Sequence, residues 1–227
     1  MSGTRKSTTD MMPPGRPTWT AVGLQLLLVV ATSTVIVWVN QEMVVPRGAR
    51  AHFMASMLST SAADPVDFLA KADRLGLLLM PLAAVVRIAF VALVAQLAVL
   101  LQGRILSLAE AVRAATWAFW GVVFGMTTQS LWLWRLGMDH VTVDDFSVVP
   151  DSLAHVLHVD IDSSFTVYLL AVQLSITTVV WMLGLGLGLA SAEDVDVPVA
   201  LRSVAFVWVT VVSGTVSLAL LGRVLLG

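Results

Sequence analysis

From Ala114 to Trp134 the chain runs 21 residues without a charged side chain. A bilayer's hydrocarbon core is about 30 Å thick, and a helix rising about 1.5 Å per residue needs about 20 apolar residues to cross it. Just upstream, Leu75–Val86 and Ile88–Gly103 form a second such stretch, interrupted only by Arg87. Backbone inside lipid has to satisfy its own hydrogen bonds, which a helix does within one segment. Two such arms joined by the short Gly103–Leu106 connection fold back on each other as antiparallel helices. The chain is therefore expected to be all-α, a polytopic bundle of transmembrane helices.

Five spans are expected in a single domain over 17–227. The first, about 18–40, lies in an uncharged run from Pro17 to Gln41 of 25 residues. That is longer than the roughly 7–15 apolar residues of a cleavable signal. Trp19 and Trp38 lie about 28 Å apart along a helix and suit opposite interfaces. The hydroxyls of Thr32, Ser33 and Thr34 are expected to bond back to helix carbonyls. Residues 1–16, with Pro13, Pro14 and Gly15, read as a flexible tail.

Phe53, Met54, Met57 and Leu58 recur at helical spacing behind Arg47, Arg50 and His52. That pattern suits a helix lying on the membrane surface before span two, or an ordinary loop helix. Asp64, Pro65 and Asp67 then make a helix start. From Pro65 to Gln102 is about 57 Å of helix, longer than a bilayer is thick. Span two is accordingly placed at about 80–102, with a kink at Pro81. Span three, about 112–135, opens behind the capping box Ser107-Leu-Ala-Glu110 and stops at Gly137. Trp117 and Trp120 mark one of its ends, Trp132 and Trp134 the other.

Residues 135–163 read as a polar loop with six Asp, at 139, 144, 145, 151, 160 and 162. Span four, about 165–189, follows inside the uncharged run Ser163–Ala192, with Ser163 or Ser164 as cap. An acidic turn from Ala192 to Pro198 leads to span five, about 200–223. Five spans put the two ends on opposite sides.

Charged residues make up only 12% of the chain, against about 25% in soluble domains. The net charge of −2 and the lack of a dense basic run exclude a nucleic-acid partner. With no cysteine, disulfides, thiolate metal sites, Cys nucleophiles and S-acylation are excluded. With the N-terminus inside, six Lys or Arg fall on each side, so the loops do not set the orientation. The three basic residues before the first span (Arg5, Lys6 and Arg16) favour a cytoplasmic N-terminus.

Arg87 is the one charge inside a span, and such charges are functional candidates. About 25 Å of helix separates it from Arg104, which puts it near the opposite membrane edge. There its guanidinium can snorkel outward as an interface anchor, on the side of the Asp-rich loop where an ion pair is natural, or serve in a transport role. His155, His158, Asp160 and Asp162 are ligand-type residues at a loop-to-span boundary, in a spacing that matches no defined metal site. Thr127, Thr128, Gln129 and Ser130 either line a polar path or bond between helices. Gly121 with Gly125, and Gly184 with Gly188, give two faces that admit another backbone closely. Such faces serve packing within the chain or contact with another membrane protein or a second copy. No nucleotide-binding loop, nucleophile elbow or zinc-protease motif is present. No catalytic, cofactor-binding or metal-binding residue is assigned, and no cofactor is expected.

The layout resembles the bacterial branch of the Yip1 family of five-span membrane proteins. The resemblance runs over residues 17–225, through Pro17-x-x-Thr20 and the polar linker at 47–74. It continues through Leu101-Gln-Gly-Arg-Ile-Leu-Ser107, which leads into Ala109-Glu-Ala-Val-Arg-Ala-Ala-Thr-Trp117. Val159-Asp-Ile-Asp-Ser-Ser-Phe165 and the Gly184–Gly188 exit complete it. It implies a cytoplasmic N-terminus, a bacterial inner membrane and no catalytic activity. Eukaryotic relatives act in vesicle trafficking through partner proteins, and no family residue with a chemical role carries over. The expected function is that of a non-enzymatic scaffold, assembly factor or accessory subunit of a membrane complex. The alternative is a small transporter or permease subunit using Arg87 and the polar residues of span three. A third, a metal enzyme using His155 and His158, requires bound metal.

Overall fold

In the computed structural model, residues 17–41, 65–137, 149–159 and 165–226 are described, without side chains for 65–74 and 223–226. The tail at 1–16, the surface helix expected at 53–58, Asp160, Asp162 and the caps at Ser163 or Ser164 lie outside these residues. Those described form helices and no strand: α1 Trp19–Val39, α2 Pro65–Leu100, α3 Leu108–Leu136, α4 Leu153–Val156, α5 Phe165–Gln173, α6 Ile176–Ala190 and α7 Val197–Leu226.

Local signals set most helix ends. The Thr18 hydroxyl accepts from the Ala21 N–H at 3.3 Å and starts α1. Ser107 and Glu110 form both halves of the capping box at α3. At its other end Gly137, at φ 84°, donates its N–H to the Trp134 carbonyl. The hydroxyls of Thr32, Ser33 and Thr34 bond to the carbonyls of Leu28 and Val30. Pro81 lies inside α2, which continues through it.

Among the described residues three helices are long and apolar enough to cross a membrane: α1, the Leu75–Leu100 part of α2, and the Val197–Gly222 part of α7. Together they make the chain a membrane-integral helical protein. At 29 residues α3 has the length but not the hydropathy, because Thr116 and the Thr127–Ser130 cluster dilute it. It is also the helix on which α1, α2 and α6 all pack.

The expected fourth span needs correction. A continuous helix over 165–189 is broken at Leu174 and Ser175 into α5 and α6. α6 has 15 residues, about 22 Å, too short to cross a 30 Å core alone.

The core is built from small residues. Ala84, Ala92, Ala95 and Ala98 of α2 and Ala111, Ala114, Ala115 and Ala118 of α3 are buried together. Without a hydrophobic driving force inside lipid, close backbone packing supplies the attraction between helices. Small side chains permit it. The tightest seam runs between α3 and α6. A Cβ added at Gly121 would stand 2.6 Å from the Trp181 Cα, and one at Gly125 would stand 2.7 Å from the Thr177 Cγ2. One at Gly184 would meet the Trp117 carbonyl at 2.6 Å, and one at Gly188 the Ala114 Cα at 2.5 Å. Both glycine pairs thus lie in one antiparallel seam, and the surfaces they offer are occupied within the chain.

Candidate functional site

Polar chemistry gathers at two levels of the bundle. The first is the end where α2 meets α3 and α6 meets α7. Arg104 pairs with Asp196 at 2.8 Å, both largely exposed at 48% and 63%. Arg113 donates to the Ser191 hydroxyl at 2.9 Å, and that hydroxyl donates to the Gly188 carbonyl at 2.7 Å. Gln102 donates to the Ser203 hydroxyl at 2.9 Å, joining α2 to α7. Burial pushes the Glu110 carboxyl up. Hydrogen bonds from the Ser107 hydroxyl and N–H and from the Glu193 N–H, with Arg113 nearby, outweigh that and hold it below the ordinary carboxylate value. These contacts tie two connections into one polar rim. They bind the ends of helices together and leave no reactive group exposed in a cleft.

The second level is the break between α5 and α6. A helix start leaves four N–H groups without partners inside the helix. At α6 the first three are supplied from two segments. The Asp151 carbonyl accepts from the Ile176 N–H at 3.2 Å, and the Asp151 carboxylate accepts from the Thr177 N–H at 2.7 Å. The Ser175 hydroxyl accepts from the Thr178 N–H at 3.1 Å. The Leu174 carbonyl, at the end of α5, accepts from the Leu153 N–H at 2.8 Å, and Ser152 bridges antiparallel to Ser175. Segment 149–159 therefore plugs the gap, with α4 capped by Ser152. The His155 ring meets Trp132 edge-on at 5.1 Å between centroids.

Depth follows from the glycine seam. Thr177 faces Gly125, and 12 residues separate Gly125 from Arg113 at the polar rim. That is about 18 Å of helix away from the rim. Within a membrane, irregular backbone is tolerated where protein covers it or where it lines a water-filled cavity. Here segment 149–159 supplies the cover. A cavity of about 520 Å³ lies beside the break, lined by Asp151, Ser152, Leu174, Ser175, Met182 and Trp208 among others, with almost wholly apolar walls. Interrupted helices at mid-depth are a recurring feature of transport proteins.

The other expected residues fall as follows. Thr127, Thr128 and Ser130 donate to the carbonyls of Val123, Gly125 and Met126 in their own helix. Their hydroxyls are used locally. Gln129 is half-buried on the same turn. His155 is engaged with Trp132, whereas His158 is exposed at φ 52°. Among the described residues no three of His, Cys, Asp or Glu stand together as a metal set. Arg87 is exposed on the outer surface of α2, and among the described residues it faces no carboxylate partner. It lies 13 residues before Leu100, about 20 Å of helix, past the middle of a core about 30 Å thick when measured from the rim.

Sequence reasoning missed Asp151 and Ser175. Asp151 acts from 26 residues away, beyond any local pattern. Ser175, two residues after Gln173 and followed by Thr177 and Thr178, was the available sign of a helix restart. Compared with family models, with curated proteins and with solved structures, the chain matches none.

Proposed function

We propose that this chain is a five-span, non-enzymatic integral membrane protein of Yip1-like type. It acts as a scaffold, assembly factor or accessory subunit of a membrane complex. In this reading α3 and the interrupted pair α5 and α6 cross the bilayer together with the three apolar helices. The N-terminus is cytoplasmic and the membrane is a bacterial inner membrane.

One observation carries the reading. The Thr127 and Ser130 hydroxyls and the Asp151 carboxylate are spent on carbonyls and on a helix start of the chain itself, while Arg87 is exposed within the apolar stretch of α2. A charge in hydrocarbon is costly and calls for a counter-charge. Among the described residues none supplies one, and in this reading a neighbour in the membrane does.

A small transporter or permease subunit is the second reading, favoured by the break between α5 and α6 at mid-depth. Native electrophoresis after mild detergent extraction separates the two. The first reading expects the wild type in a complex larger than itself and Arg87→Leu with altered migration at normal membrane level. Loss of a solute uptake in the variant with unchanged migration favours the second.

A further inference from the structure

Beyond Val212 no α7 side chain through Gly222 is buried, and on α2 none is buried from Leu75 through Ala83. The half of each helix far from the polar rim thus lacks packing that the near half has. Gln102 and Ser203, bonded at 2.9 Å, fix the register of the two helices, α2 ending and α7 beginning at the rim. Arg87 precedes Gln102 by 15 residues, and Leu218 follows Ser203 by 15. Both therefore lie about 22 Å from that contact, at one depth. Around Leu218, α7 exposes Ser213, Gly214, Thr215 and Ser217. A Cβ at Gly214 would meet nothing within 4 Å, unlike those at Gly121, Gly125, Gly184 and Gly188. Ser213 and Ser217, four residues apart beside Gly214, admit a close backbone.

We infer that the far halves of α2 and α7 form a docking surface for a transmembrane helix of another protein, one bearing a carboxylate at the depth of Arg87. The surface rests on the contact-protein reading above and gives that partner its chemistry. Charge complementarity selects the occupant: the Arg87 guanidinium, with no carboxylate partner among the described residues, matches one carboxylate. A second copy fits less well. Among the described residues the one carboxylate at comparable depth is Asp151, and it is bonded to the Thr177 N–H. The small side chains of α7 let the incoming backbone approach while the carboxylate reaches Arg87.

The test uses the full-length protein in bilayers with a defined probe, a Leu/Ala transmembrane peptide carrying one Glu at its centre. A control peptide has Leu there, and association is read by energy transfer. The Glu peptide is expected to bind wild type about tenfold more tightly than the Leu peptide. Arg87→Leu is expected to erase that preference and Arg87→Lys to keep part of it. Ser217→Leu, which leaves Arg87 in place, is expected to weaken binding of both peptides. Equal binding of the two peptides, or a preference that survives Arg87→Leu, overturns the proposal. So does a preference abolished by phosphatidylglycerol, which assigns Arg87 to a lipid phosphate, or Arg87-dependent self-association, which assigns the face to a second copy. Altered native migration of Arg87→Leu, with no peptide preference in the wild type, removes this surface and leaves the contact-protein reading standing. A wild type migrating alone on native gels removes that reading itself.

Discussion

Gly188 lies so close to Ala114 that a Cβ added to the glycine would stand 2.5 Å from the alanine Cα. Backbone meets backbone there, and the same holds at Gly184 against Trp117 and at Gly121 against Trp181. The contact fixes α6 on α3 and so fixes where the broken helix resumes.

Gly188→Ile is expected to destabilise the protein by about 1–3 kcal/mol, because backbone atoms cannot move aside as a side chain does. Gly23, with nothing within 4 Å of its Cβ position, is the control. Gly23→Ala is expected to be neutral or to stabilise by about 0.5–1 kcal/mol through helix propensity. Unfolding in mixed micelles with a graded denaturing detergent measures both. Equal effects at the two positions would contradict the close seam.

At the helix break, Asp151→Asn keeps an oxygen that accepts from the Thr177 N–H, whereas Asp151→Leu removes it and buries an N–H without a partner. The leucine variant is expected to lose about 1–3 kcal/mol and the asparagine variant clearly less. Ser175→Ala is expected to cost about 0.5–2 kcal/mol as the loss of a helix cap. Hydrogen exchange at the amides of Thr177 and Thr178 reports each loss separately.

Glu110 sets a pH response. Its carboxyl is held below its ordinary value by Ser107, Glu193 and Arg113 against the opposing effect of burial. A depressed folded-state pKa contributes stability that is present above the unfolded value, about 4.3 for Glu, and lost as pH falls through the folded one. Wild-type stability is expected to drop below about pH 4.3. In Glu110→Gln that part of the drop is expected to disappear, which a series of thermal scans against pH detects.

The Arg104 pair with Asp196 is held by two exposed side chains. Asp196→Ala is expected to cost less than about 1 kcal/mol, and less again in high salt. A larger loss, insensitive to salt, would show that the rim does more than close the turn.

Legibility in the sequence followed locality. α1 spans Trp19–Val39 where 18–40 was expected, because an uncharged run with a Thr cap needs no neighbour to define it. The Ser107–Glu110 box and Gly137 stop were likewise readable, since both partners of each bond lie within one turn. The interrupted span was not. Hydropathy is continuous across Leu174 and Ser175, and the group that stabilises the break comes from Asp151, a residue that sequence position assigned to a surface loop. The four glycines were recognised as contact surfaces, but that one pair fills the other depends on the antiparallel register of α3 and α6. Arg87 was visible as a charge, while its outward aim depends on which face of α2 packs.

The proposed five crossings would place residues 7 and 227 in different compartments, and the absence of cysteine makes that directly measurable. Single cysteines at Ser7→Cys and Gly227→Cys are labelled in intact cells with a membrane-impermeant maleimide, with and without permeabilisation. The account predicts that the cysteine at 227 reacts in intact cells and the one at 7 only after permeabilisation. Both cysteines reacting from the same side would contradict it.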